Sequence, residues 1–381
     1  MRFRCVSFIV GLALLTGSFS AAFARPASAE PTNAAKAAQL LRTVVGDKAN
    51  DGLQSVIVGA YSGKDEILSA AIGDSMTGVP ATSGMHFRAG IMQTEALATI
   101  LLQLADRRVV SLDAPISRWL PQLPHAKEVT LRMLANSRSG YGDYLNDTRV
   151  SKSFEDNPFQ HFTADQLIQY GTAQPMAFKP GTGFHYAHTN LVILGAALQK
   201  ITGESVAQLV RERITAPLDL HDTEVPSTPE IQQPVQHAFS RDRGVYEEST
   251  YFDPSWASYS GVITSDVHDL AVFQRAIGKG TLLSKAGFAA QLATSNVGSG
   301  PMTRKLYYGL GVIVANTWIL QHARVSGYDV VMAYLPATDL TIVVSSALGP
   351  TSTAKAGYSA AIFKDMARYL APNWSIPRLF T

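Results

Sequence analysis

The sequence predicts an α+β fold: an antiparallel sheet formed by both chain ends and flanked by helices, plus a mostly helical lobe. Three observations predict it. Short β-rich runs occur early, at 55–61 and 67–72, and again late, at 308–314, 330–335 and 340–347. The long middle of the chain carries helical periodicity instead. Each end adds a helix of its own, at 30–50 and 354–369.

The elements follow in order. Ala38, Leu40, Leu41 and Val44 give the first helix its apolar face. The two early strands are separated by Ser62-Gly63-Lys64-Asp65, a hairpin signal. Phe87-Arg88-Ala89-Gly90 then runs directly into a helix with Leu97, Ile100, Leu101 and Leu104 on one side. Within the middle, 189–201 places Leu191, Leu194, Leu198 and Ile201 on one face, and Gly203 serves as the C-cap. The expected organisation is a sheet lobe of about 30–90 and 300–381 with a helical lobe of about 91–299. No repeat or low-complexity linker interrupts it.

Residues 1–29 are set apart from that domain as a cleavable export signal. Met1-Arg2-Phe3-Arg4 is basic, the apolar run that follows is too short to span a bilayer, and Ala22-Phe23-Ala24 and Ala27-Ser28-Ala29 are small-residue cleavage patterns. A periplasmic or secreted protein without a stable membrane anchor is the expectation. The single cysteine, Cys5, lies within this segment, so the domain uses neither disulfides nor thiolate chemistry. The signal also holds Arg2, Arg4 and Arg25 and no acid; without it Lys plus Arg falls from 32 to 29 against 30 Asp plus Glu. The formal charge of +2 becomes −1. With no basic stripe or basic run interleaved with aromatics, nucleic-acid binding is excluded as an expectation.

Several local segments, taken in order, carry a resemblance. They are Phe87-Arg88-Ala89-Gly90, Val110-Ser111-Leu112-Asp113-Ala114-Pro115 with Trp119-Leu120-Pro121, Thr130-Leu131-Arg132-Met133-Leu134, Ser139-Gly140, and Phe178-Lys179-Pro180-Gly181-Thr182. Ser260-Gly261-Val262-Ile263-Thr264-Ser265 and Tyr308-Gly309-Leu310-Gly311 complete the set. Together they resemble the serine β-lactamase and penicillin-binding-protein superfamily, in its class C branch with D-alanyl-D-alanine carboxypeptidases, D-aminopeptidases and esterases, over about 35–370. The resemblance implies a β-lactamase/transpeptidase-like fold and acyl transfer by a Ser-x-x-Lys nucleophile, a Tyr-x-Asn loop and a Lys/His-x-Gly strand.

This chain departs from that chemistry. Ile91 falls at the serine and Thr94 at the lysine; Tyr186-Ala187-His188 falls at Tyr-x-Asn, and His322-Ala323-Arg324 at His-x-Gly. Isoleucine has no lone pair with which to attack, and Thr94 has no adjacent base. Without the lysine, Tyr186 is expected to stay neutral and donate hydrogen bonds. Ser352-Thr353-Ala354-Lys355 matches Ser-x-x-Lys by pattern, but its context after Gly349-Pro350 suggests a helix N-cap. Ser137, Ser326 and Gly327 are candidate ligand-binding positions, while Ser139 reads as a turn residue beside Gly140.

Two function classes follow. The first is a non-catalytic relative that binds a small-molecule or peptide ligand, of cell-wall-like peptide or acyl chemistry, over an apolar Ile91-Met92 floor. The second is a repurposed enzyme, either a hydrolase with an unconventional nucleophile or an acid–base catalyst using Tyr186, His188 and His322. No cofactor is implied. A zinc site built from His185, His188 and His322 is the metal alternative, and a set without metal is the expectation because no Glu-x-x-His pattern accompanies the imidazoles.

Overall fold

A computed structural model describes residues 32–90, 92–353 and 357–377. The segment 1–29 expected to be an export signal, Ile91 and Lys355 therefore lie outside the described residues. Among the described residues there are twelve strands: β1 (Ser55–Ser62), β2 (Asp65–Met76), β3 (Val79–Pro80), β4 (Phe87–Gly90), β5 (Phe239–Ser240) and β6 (Glu247–Glu248). They continue as β7 (Ile263–Ser265), β8 (Leu306–Tyr308), β9 (Ile313–Ala315), β10 (Trp318–Val325), β11 (Tyr328–Leu335) and β12 (Leu340–Ala347).

Eight of them form one antiparallel sheet in the order β3-β2-β1-β12-β11-β10-β9-β8. The two chain ends meet at β1 and β12, where Ser55 faces Ala347 and Ser62 faces Leu340. Both faces of β1 are covered, so its pattern is apolar almost throughout and not alternating. Val56, Val58 and Ala60 pack outward into a core with Leu40, Val44, Ile362 and Phe363. That outer layer is made by the helices Asn33–Asn50 and Tyr358–Leu370, which touch each other across the sheet. Ile57 and Met332 point the other way, into the larger core shared with the helical segment and the helix Val267–Lys279.

Two local expectations change, and one strand is not predicted. The run 308–314 is two strands, because Gly309 donates to the Val312 carbonyl and Gly311 takes φ +72°, which folds the segment into a turn between β8 and β9. Periodicity does not predict strand β10, because buried Gln321 and part-buried His322 blur its apolar pattern. Ser352 is no helix cap: the terminal helix starts at Tyr358 with Gly357 before it. The Ser352 hydroxyl instead receives the Gly349 N–H and reaches the carbonyls of Asp51 and Gly52 at 3.1 Å each. Among the described residues no helix is long and apolar enough to cross a membrane.

Two turns position the site. Strand β4 pairs with β7 and ends at Gly90, in a left-handed conformation (φ +52°), and the helix Met92–Asp106 begins two residues later. Between β10 and β11, Ser326 and Gly327 both have positive φ, the geometry of the tight hairpin turn that suits the sheet's twist.

Candidate functional site

The strand-to-helix turn at Gly90 lies directly under β10. A Cβ built on Gly90 would stand 2.9 Å from Val325 Cγ2 and 3.2 Å from Ala323 Cβ. Only a glycine lets the two backbones come this close. Alternation along β10 sends Ala323 and Val325 to the Gly90 side and His322 and Arg324 to the opposite one.

Thr94, in the first turn of the Met92–Asp106 helix, is completely buried, and its hydroxyl faces the phenol of Tyr186. Tyr186 precedes the helix His188–Thr202, whose first residue is His188. Burial and the nearby Asp143 charge push the Tyr186 pKa up, with Thr94 as the one side chain opposing them. Burial thus favours the protonated phenol at neutral pH.

His188 is held by a carboxylate. Its Nδ1 lies 2.8 Å from Asp143 Oδ2, while Asp143 Oδ1 accepts the Leu145 N–H at 3.1 Å as the cap of a short 3-10 turn. Burial disfavours the charged carboxyl of Asp143, but the His188 imidazole and the backbone N–H groups of Leu145 and His188 outweigh it, and its pKa lies below the usual value. Beside a carboxylate, Nδ1 is the donor, which leaves Nε2 on the pocket side. The Tyr186 ring meets the His188 ring edge-on, with centroids 5.2 Å apart.

His322 has a matching arrangement on β10, with Nε2 2.7 Å from Asp329 Oδ1 in a nearly solvent-free pair. Together Gly90, Tyr186, His188, Trp256, His322 and Arg324 surround a pocket of about 140 Å³. It adjoins a larger groove of about 420 Å³, which Trp256, Arg324 and the Ser326-Gly327 turn also line. On its other side, Tyr186 and His322 form the wall of an apolar pocket of about 300 Å³. Among the described residues no lysine lines any of the three.

The remaining candidates fall as follows. Ser137 is buried in a left-handed turn (φ +57°), and its carbonyl accepts the His185 N–H at 3.0 Å, which braces the Tyr186 loop. Ser139 donates to Asn190 within the core. The three-imidazole metal set does not form: among the described residues no three His, Cys, Asp or Glu side chains are grouped to hold an ion, and His188 and His322 each face their own aspartate. Sequence reasoning missed Asp143, Asp329, Trp256 and Ser260. Only Asp143 left a signal, as an acid closing the glycine-rich run Ser139-Gly140-Tyr141-Gly142. Ser260 lines the small pocket, but its hydroxyl is committed to the Ala257 carbonyl and to Tyr144 Oη at 3.1 Å, without a base.

Comparison with known proteins places this geometry. Residues 38–364 match the Beta-lactamase family model. Penicillin-binding protein 4* of Bacillus subtilis is 25% identical over 245 residues, 61% of this chain and 51% of that protein. Esterase EstB of Burkholderia gladioli is 29% identical over 162 residues, 40% of this chain and 41% of the esterase. The matched segments thus span about half or less of these relatives' length. Among solved structures, a D-stereospecific amidohydrolase from Streptomyces sp. superposes with a TM-score of 0.77 at 24% identity, covering 88% of this chain and 99% of that one. The D-amino acid amidase from Ochrobactrum anthropi SV3 gives 0.74 at 22% identity, over 87% of this chain and 97% of its own. At these identities the structural likeness speaks for the fold, a large antiparallel sheet flanked by helices. The family match spans most of the sequence, from the first helix to the last. With its strand-to-helix turn at Gly90, its tyrosine loop and its β10 strand set around one cleft, the chain belongs to the β-lactamase family.

Proposed function

We propose that this protein is an exported, non-catalytic member of its family that binds a peptide- or acyl-type ligand of cell-wall chemistry in the cleft between the Tyr186 loop and β10. One observation carries this reading: among the described residues the cleft is lined by tyrosine, histidine, tryptophan and arginine, but by no lysine. Acyl transfer on this scaffold needs a hydroxyl whose proton an amine can take. The sequence offers Ile91 and Thr94 in those places, and Thr94 is sealed beneath Tyr186 with only a neutral phenol for company. Fold persists more readily than site chemistry, and a cleft that has lost its nucleophile still presents shape and hydrogen-bond donors.

Calorimetric titration with acylated D-alanyl peptides tests it. Saturable binding with the peptide recovered intact supports the reading; turnover of the peptide contradicts it.

A second reading has its own support in the Asp143–His188 pair. A part-buried carboxylate that holds the imidazole by Nδ1, with Nε2 on the pocket side, is the arrangement of a general base. Under this reading the chain catalyses proton transfer without an acyl-enzyme. It requires that His188→Ala abolish turnover of whichever substrate is found; unchanged turnover dismisses it.

A further inference from the structure

The apolar pocket beyond Tyr186 and His322 has no part in acyl-transfer chemistry, yet it is a built cavity. Phe184, Met302, Leu306, Tyr307 and Ile313 line it, and among the described residues no acidic, lysine or arginine side chain does. Three of the polar groups in its wall are committed to the protein: the Tyr307 hydroxyl donates to the Leu292 carbonyl at 3.1 Å, the Gln321 amide N–H donates to the Gly311 carbonyl, and the Tyr186 hydroxyl faces Thr94, while the Tyr308 hydroxyl and Gln321 Oε1 are buried without a hydrogen-bond partner among the described residues. Aromatic rings stiffen it, with Phe184 and Tyr186 each about 6 Å from Tyr308, at 5.8 and 5.9 Å between centroids. Its volume of about 300 Å³ is twice that of an apolar cavity of about 150 Å³ that stays dry and takes up benzene. Water gains little in such a space, and a hydrocarbon gains much.

The neighbouring pocket has the opposite character, with Arg324, His188 and His322 in its lining. Tyr186 and His322 line both, so a ligand can cross this ridge with a hydrophobic end on one side and an anionic end on the other. We propose that the Phe184–Met302–Leu306 pocket is an acyl-tail subsite, and that the ligand is an amphipathic N-acyl amino acid, a medium-chain or aryl acyl group carrying a carboxylate, and not an unacylated peptide. This deepens the binding reading above and rests on it.

A chain-length series of N-acyl-D-alanines, acetyl, butanoyl, hexanoyl and octanoyl, is titrated into the full mature protein. Each methylene buried in the pocket tightens Kd about fourfold until the cavity is full. Met302 is part-exposed at the pocket edge, so Met302→Trp fills the space at small cost to folding, and a thermal melt checks that the variant is intact. The expected result is a series that is steep in the wild type and flat in Met302→Trp, with the acetyl compound bound equally by both. Acetyl binding without any gain along the series overturns the subsite while leaving the binding reading in place. A gain that persists in Met302→Trp also overturns it, since the tail then sits elsewhere. If no member of the series binds, the subsite falls, and the titration with acylated D-alanyl peptides decides the binding reading on its own.

Discussion

Asp143 and His188 lie 45 residues apart in sequence and meet at 2.8 Å, carboxylate oxygen to Nδ1. This contact ties the short turn at Tyr144 to the first residue of the helix that carries the tyrosine loop. Asp143 also accepts backbone N–H groups, so its charge is fully used in the folded state.

Asp143→Asn is therefore expected to destabilise the fold at neutral pH by about 1.5–3 kcal/mol, the range for a hydrogen bond to a charged group. The sign of the pH dependence follows from its lowered pKa. Its stabilisation is complete above the unfolded carboxyl pKa of about 3.9 and is lost as pH falls through the lower folded value. Urea melts should show the gap between wild type and variant narrowing below about pH 4; a gap constant down to pH 2 would mean that charge plays no part.

Glu95 gives the reverse dependence. It is wholly buried in the first turn of the Met92–Asp106 helix, and desolvation pushes its pKa well up, with Gln274 the side chain that eases this. The folded state keeps a proton that the unfolded state releases above about pH 4.3, so stability declines as pH rises from there toward the folded pKa. Glu95→Gln removes the dependence and keeps the shape. Its advantage over wild type should grow by up to about 1.4 kcal/mol per pH unit across that window. Parallel melts from pH 4 to 8 check this, and equal slopes would refute it.

Gly90→Ala should cost about 1–3 kcal/mol, because the added methyl meets Val325 at 2.9 Å and φ is +52°. Val325→Ala in the same chain removes the clash but not the dihedral strain. Part of the loss should return in the double variant, and strictly additive losses would exclude the contact as the cause.

Ser352→Ala tests the Ser-x-x-Lys pattern near the C-terminus. The serine hydroxyl ties β12's exit to the carbonyls at 51 and 52. The variant should lose about 1–2 kcal/mol of stability with ligand affinity unchanged. Loss of a covalent adduct on this change alone would assign the residue a chemical role.

The fold was legible where period and punctuation agreed. The first helix, the β1–β2 hairpin and the Gly203 cap follow from spacing that local chemistry dictates within a few residues. The 308–314 run misled because an apolar stretch does not reveal that Gly311 reverses the chain inside it. The site was legible as far as its residue types went: Tyr186, His188 and His322 do share a pocket. What no local pattern carries is partnership. Asp143 with His188, and the approach of Gly90 to Val325, are set by tertiary packing between distant segments. Ser352 was misjudged for the same reason, since its partners lie about 300 residues earlier.

The central claim is that the cleft forms no acyl-enzyme, and intact-mass spectrometry after incubation with a fluorescent penicillin or a fluorophosphonate tests it most directly. The account predicts an unchanged mass for the folded mature protein at saturating reagent. A stoichiometric adduct, mapped to any side chain in the cleft, would contradict it.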